Sequence, residues 1–437
     1  MNELPSISFQ RAEQIKEFQE KRLAELLAYL QTHSTYYQKL FNQNRIDTGE
    51  IKQIEDLVKI PPTEKEHLQQ HNTDFLCVAN NKIIEFTATS GTVGSPVTIA
   101  LTENDLKRLA YNEYSSFVCA NGNSEDIYQL MLTLDRQFMA GMAYYSGIRK
   151  LGAGVVRVGP GVPSLQWETI ERLKATAIVA VPSFIVKLIQ YAEDHHIDIN
   201  QSSVTKAICI GENIRNEDLQ LNILGKRISD KWNIQLFSTY ASTEMQTAFT
   251  ECEAGQGGHL NPELIIVELL NEDGNPVPDG HPGEVTITTL GVEGMPLLRY
   301  KTGDICKAFQ EPCTCGRNTV RLSPVIGRKK QMIKYKGTTL FAPALFEIIH
   351  RIDAVKEYVV EVFSNEIGTD EVLLHMLPVN DLEETHNKIK ANLQARLRVT
   401  PQIKYLDADA MQKLQFPEGV RKPLKFIDKR KSNGNGQ

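Results

Sequence analysis

The stretch "ATAIVAVPSFIVKLIQYAED", residues 175–194, followed by "KAICIGE" at residues 206–212, decides the fold. The run ending at Pro182 is too apolar for a strand with one wet face, so it reads as a strand covered on both sides. A helical segment follows from Ser183, and then a second apolar strand. Strand, helix, strand in that order predicts a parallel pair crossed by a helix.

The same rhythm runs from Ile83 to about Gln246. "IYQLMLTL" and "GVVRVGP" are further strands; "ENDLKRLAYNEYSSFVCA", "QWETIERLKA" and "NEDLQLNILGKRISDKW" are further helices. Ligands of such sheets sit at the carboxyl ends of the strands. Upstream, "AEQIKEFQEKRLAELLAYLQTHSTYYQKLF" reads as one amphipathic helix and a turn, and Pro61-Pro62 precedes a helix that the Thr63 hydroxyl can cap. Between about Leu264 and Cys306 the pattern becomes strand, turn, strand, with turn chemistry at Asp273-Gly274 and Asp279-Gly280. After Ile326, helix and strand segments alternate again in a piece the size of a small α+β domain. The fold class is therefore α/β: a large N-terminal domain, 1–326, with mostly parallel sheets and an antiparallel barrel-like part, plus a small C-terminal domain, 327–437.

A chain of 437 residues is too long for one core, which agrees with two domains. Its 48 basic and 54 acidic residues leave a net charge of only −6 without concentrating either sign, so neither nucleic acid nor an anionic membrane is an expected partner. The N-terminal "MNELPSISFQRAEQIKEF" lacks a signal-like apolar core, and no later run is long enough to span a bilayer; a cytoplasmic location is expected. Seven cysteines, five of them scattered singly, suit a reducing compartment.

Three short stretches carry candidate chemistry. "EFTATSGTVGSP", residues 85–96, packs hydroxyls around two glycines and offers exposed N–H donors to an anion. It is no P-loop, because the lysine and the following helix of that motif are missing. "FSTYASTEM" (237–245) and "LLRYKTGDIC" (297–306) each present Tyr, Thr and an acid at a strand. A tyrosine can stack on a purine, Glu244 can hold Mg²⁺, and Asp304 can accept from ribose hydroxyls. "LGAGVVRVGPG" is not a dinucleotide fingerprint, since its third glycine and helix start are lacking.

Taken in order, TSGTVGSP at Thr89, YASTE at Tyr240, RYKTGD at Arg299, GRKKQMIKYKG at Gly327 and RKPLKFIDKR at Arg421 resemble the motifs of the adenylate-forming (acyl-CoA synthetase) superfamily. Within it the chain is most similar to the phenylacetate-coenzyme A ligase family, from about Gln19 to Arg430, on "STYYQKLF", "IEDLVKIPPTEKEHL", "ECEAGQGGHL" and "CTCGR". The resemblance implies that Ser90, Gly91, Thr92 and Gly94 close over the ATP phosphates, with Ser95 where the family usually has lysine. It places Gly211, Glu212 and Asn213 beside adenine, Tyr240 on its face, and Ala241, Ser242 and Thr243 along the nucleotide, Thr243 near the α-phosphate. Glu244 then ligates Mg²⁺, Asp304 holds the ribose, and Arg328 holds ribose or phosphate.

Lys330 falls at the hinge near 328–330 of a mobile C-terminal domain, Gly337 beside the coenzyme A pantetheine channel, and Lys422 on the catalytic lysine. The acyl pocket is expected from Phe138, Gly141, Tyr145 and Phe184, lining that suits an aryl or arylacetic acid. The implied activity is ATP-dependent ligation of such a carboxylate to coenzyme A through an acyl-AMP. The alternatives are loading of a carrier-protein thiol, or a nucleotide-binding protein that has lost catalysis. The partners are then small molecules, with a homodimer left open.

Cys252, His259, Cys313 and Cys315 lie in loop-like segments around the antiparallel region, and a Cys₃His set suits a tetrahedral Zn²⁺. They are read as a structural staple; the competing reading is four reduced residues in unrelated loops.

Overall fold

All four residues of the strand Ala177–Ala180 are buried, as an all-apolar strand requires. Ala177 and Val179 pack with Tyr128, Ile148 and Phe237, while Ile178 and Ala180 pack with Trp167, Ile185 and Trp232, so helices cover both faces. The computed structural model describes residues 6–89, 97–329, 332–335, 338–365, 370–380, 382–396, 401–417 and 423–430. Backbone contacts divide the chain into two units, Met1–Val325 and Ile326–Gln437.

In the larger unit, Gly154–Arg157, Ile127–Leu130, Ala177–Ala180, Lys206–Ile210 and Gln235–Ser242 form a parallel run in that spatial order. The sheet then turns antiparallel through Thr247–Glu251, Gly258–His259, Arg321–Leu322 and Ala308–Phe309. A separate antiparallel meander, Ile265–Leu270, Gly283–Thr289 and Tyr300–Cys306, supplies the expected barrel-like part. Its buried residues join those of the N-terminal helices in one apolar cluster.

Two local readings change. The N-terminal helix is broken into Ala12–His33 and Thr35–Asn44, because the Ser34 hydroxyl accepts from the Tyr37 N–H and starts a new helix. Thr63 does not cap the helix Lys65–Gln70. Its hydroxyl donates to the Leu298 carbonyl, and its backbone pairs with Arg299 and Lys301, adding the double-proline segment to the meander.

The smaller unit has a four-stranded sheet in the order Gln402–Tyr405, Asp370–Pro378, Val355–Ser364, Phe426–Asp428. The central pair is antiparallel and both outer pairings are parallel. Leu345 and Ile349 of the helix Ala342–His350, and Ile389 and Leu393 of Glu383–Arg396, pack on Val360, Val362, Leu374 and Met376.

One buried ion pair fixes how the parallel strands begin. Lys206 Nζ donates to Asp126 Oδ2 at 2.9 Å and to the Asn121 carbonyl at 2.7 Å, with both side chains under a tenth exposed. Removing one partner of such a pair strands the other charge. Lys206→Met is expected to destabilise the larger unit by roughly 3–5 kcal/mol. Urea unfolding followed by fluorescence reads this directly, because Trp167 and Trp232, the chain's two tryptophans, pack against one another on this sheet.

Candidate functional site

Gly211 and Tyr240 lie at the carboxyl ends of neighbouring parallel strands, Lys206–Ile210 and Gln235–Ser242, where open α/β sheets bind ligands. Gly211 has φ +74, a conformation glycine adopts without strain, and the space its side chain would enter is open. Glu212 is already engaged. Its carboxylate accepts from the Ser183 N–H at 2.8 Å and the Ser183 hydroxyl at 3.0 Å, at the start of the helix Pro182–Asp194. A negative group there is favoured by the exposed N–H groups of the first turn. The Asn213 amide donates to the Val325 carbonyl at 2.8 Å.

Tyr240 and Asp304 come together although they are 64 residues apart. The Tyr240 hydroxyl donates to Asp304 Oδ2 at 2.9 Å, and the Tyr240 ring stacks on Phe249 at 5.7 Å. Burial, followed by the Asp304 charge, pushes the phenol well above its ordinary pKa, so it stays protonated and remains the donor. Asp304 is itself buried on the strand Tyr300–Cys306. Glu244 is half-buried four residues after Tyr240; burial, then the nearby Glu244 charge, pushes the Tyr300 phenol above its ordinary pKa. The two motifs therefore meet through the tyrosine of the first and the aspartate of the second.

Ala241 is exposed, whereas Ser242 and Thr243 are half-buried; Arg328 is exposed in the smaller unit. Phe138 and Tyr145 pack on the same face of the sheet, the Tyr145 ring with the Arg149 and Arg157 guanidinium groups 5.7 and 5.4 Å from its centroid. Phe184 packs on the opposite face. Gly141 is a packing residue: a Cβ there would stand 2.3 Å from the Thr133 carbonyl oxygen. Ser90, Gly91, Thr92, Gly94 and Ser95, the hinge Lys330, Gly337 and Lys422 lie outside the described residues. The engagement of Glu212 with Ser183 had no local signal, since the two are distant in sequence.

Cys252, His259, Cys313 and Cys315 converge at the antiparallel edge of the large sheet, with ligand atoms all within 4.8 Å of one another. Burial, then the Arg317 and Arg321 charges, push His259 down to about 3, which leaves its ring neutral. Burial pushes the Cys315 thiol up, but hydrogen bonds from the Arg317 backbone and side chain outweigh it and hold it below its ordinary value.

A family model described as AMP-binding enzyme matches residues 13–294. The phenylacetate-coenzyme A ligase of Thermus thermophilus is 28% identical over 433 residues, covering 91% of this chain and 94% of its own. That of Escherichia coli is 24% identical over 364 residues, covering 80% and 79%. Among solved structures, a 2-hydroxyisobutyryl-CoA ligase in the postadenylation state superimposes with a TM-score of 0.82 at 18% identity, covering 97% of this chain and 91% of that one. An anthranilate CoA ligase in complex with anthranoyl-AMP gives 0.55 at 16% identity, covering 76% and 64%. Both likenesses show an adenylate-forming ligase fold.

Tyr240→Phe removes one partner from the buried Asp304 carboxylate. The expected cost is about 1–3 kcal/mol, read by chemical denaturation, and little further loss when Asp304→Asn is added, because the two residues act as a pair.

Proposed function

The chain belongs to the AMP-binding enzyme family, and from that premise we propose that it is an AMP-forming acid–coenzyme A ligase acting on an aryl or arylacetic, phenylacetate-like carboxylate. The observation that carries the reading is the Tyr240–Asp304 bond at the carboxyl ends of the parallel strands. It sets an aromatic face and a carboxylate side by side, the pair that an adenosine needs for its base and its ribose hydroxyls.

In the first step, a carboxylate oxygen attacks the α-phosphorus of ATP, the bond to the β-phosphate oxygen breaks, and pyrophosphate leaves. In the second, the coenzyme A thiol loses its proton, its sulfur bonds the acyl carbon, and AMP departs. Tyr240 covers adenine beside Gly211–Asn213, Asp304 takes the ribose, and Thr243 approaches the α-phosphate. Ser90, Gly91, Thr92 and Gly94 are assigned to the pyrophosphate half of ATP, and Arg328 to the ribose or phosphate. A half-buried carboxylate at a strand end fits a Mg²⁺ ligand, so Glu244 would hold the ion, whose charge offsets that of the triphosphate.

Lys422 is assigned to bridge the acyl carboxylate and the α-phosphate, two anions that repel as they approach; a fixed ammonium helps most where charge accumulates in the transition state. Lys330 is the proposed hinge of the movement between the two steps, and Gly337 the neighbour of pantetheine. The similarity to named phenylacetate-coenzyme A ligases over most of the chain supports the arylacetic substrate. The cytoplasm, which holds both ATP and coenzyme A, is the proposed compartment.

Pyrophosphate release measured over arylacetates, benzoates and fatty acids, with and without coenzyme A, tests the reading. Arylacetates should give the highest kcat/KM, with AMP and thioester formed only when coenzyme A is present; silence across all three classes overturns it. Lys422→Ala should lower adenylate formation by about 10²–10³-fold, while Asp304→Ala should act chiefly on the KM for ATP.

A further inference from the structure

The segment between the strands Thr247–Glu251 and Gly258–His259 contributes Cys252, and His259 ends the second strand. The loop between Ala308–Phe309 and Arg321–Leu322 contributes Cys313 and Cys315. Register brings them together: His259 lies opposite Arg321 on one side and Thr250 on the other. The four side chains thus come from a strand end and two loops that the pairing of these short strands joins. Cys252, His259 and Cys313 are buried and Cys315 half-buried, so the cluster is shielded from water.

The distances suit a metal. A tetrahedral centre with Zn–S near 2.3 Å and Zn–N near 2.0 Å separates its ligand atoms by roughly 3.5–3.8 Å. Cys252 Sγ lies 3.6 Å from Cys313 Sγ, and Cys315 Sγ lies 3.5 Å from His259 Nε2. A disulfide would need its sulfurs at about 2.05 Å.

The surroundings suit it as well. His259 Nδ1 is 2.9 Å from Thr319 Oγ1; with Nδ1–H donating there, the Nε2 lone pair faces the thiols. Three thiolates around a dication leave one net negative charge, and the Arg317 guanidinium, 3.4 Å from Cys315 Sγ, stands beside it.

We propose that Cys252, His259, Cys313 and Cys315 bind one Zn²⁺ that staples the antiparallel edge of the large sheet. Four protein ligands fill the tetrahedron, so the centre is structural and takes no substrate. Its mechanical reach is short and definite. His259 is opposite Thr250, Thr250 is opposite Thr239, and Thr239 adjoins Tyr240, so the staple lies two strands from the proposed adenine-stacking ring.

The test uses the full-length protein, grown with zinc, gel-filtered and analysed by inductively coupled plasma mass spectrometry. About one zinc per chain is expected. Cys315→Ser, the least buried ligand, and His259→Ala should each lose most of the metal. Cys119→Ser should keep it: Cys119 shares the apolar cluster, but its thiol donates to the Thr250 carbonyl. Chelation of wild-type protein should lower its unfolding temperature, with no such effect on Cys315→Ser. Refilling stripped protein with Co²⁺ alone should give thiolate-to-cobalt charge-transfer absorption and tetrahedral d–d bands. Metal-free wild-type protein without a cobalt spectrum, a Cys252–Cys313 disulfide found by peptide mapping, or full zinc content in folded Cys315→Ser would each overturn the assignment.

Discussion

The arrangement of the larger unit depends on the buried guanidinium of Arg108. Its Nε donates to the Leu290 carbonyl at 2.8 Å, Nη1 to the Gln246 carbonyl at 2.7 Å, and Nη2 to the Leu264 carbonyl at 2.5 Å and the Thr247 hydroxyl at 3.2 Å. The helix Glu103–Cys119 is thereby tied to the ends of two meander strands and to the turn directly after Glu244. No carboxylate is among these four acceptors. Burial therefore lowers the Arg108 pKa to about 10, against a nearby Asp105 that raises it. Asp105 works in parallel, accepting from the Glu293 and Gly294 N–H groups. One helix thus fixes both the parallel sheet and the meander, and the Tyr240–Asp304 bond spans the gap that it sets.

Close approach is the second constraint. The helix Met139–Leu151 lies so near Glu103–Cys119 that a Cβ on Gly147 would sit 2.3 Å from Glu113 Cβ. Glu113 is sealed in by that contact, and burial pushes its carboxyl up to about 8, so it is mostly neutral near neutral pH. A neutral acid is the form that such a dry interface tolerates.

The sequence carries the parallel strands plainly, because a strand covered on both faces must be largely apolar: Ala177–Ala180 and Lys206–Ile210 are buried at every position, and the one charge among them, Lys206, is paired with Asp126. The motif residues Tyr240, Glu244 and Asp304 were also legible as candidates, since strand-end tyrosines and acids stand out from their surroundings. What joins them was not. The Tyr240–Asp304 bond, the Ser183–Glu212 cap and the placement of Phe184 and Phe138 on opposite faces depend on which strands become neighbours. Two-residue strands such as Gly258–His259 and Arg321–Leu322 have no periodicity to read, yet they bring His259 to the C-x-C loop. The break at Ser34 was visible in residue type, but the apolar stripe on either side of it suggested continuity.

The pairing of Thr63 with the strand that bears Asp304 has a consequence for how the chain is made. The Thr63 hydroxyl donates to the carbonyl of Leu298, 235 residues later, while its backbone N–H donates to the Arg299 carbonyl and its carbonyl accepts from the Lys301 N–H. The N-terminal helices pack partly against segments made soon after them, such as Ile99 and Leu101, but their cluster is completed only by the meander strands up to Tyr300. Contacts of such long sequence separation close slowly, and exposed apolar surface invites association in the interval. The larger unit is therefore complete only when its late strands are in place.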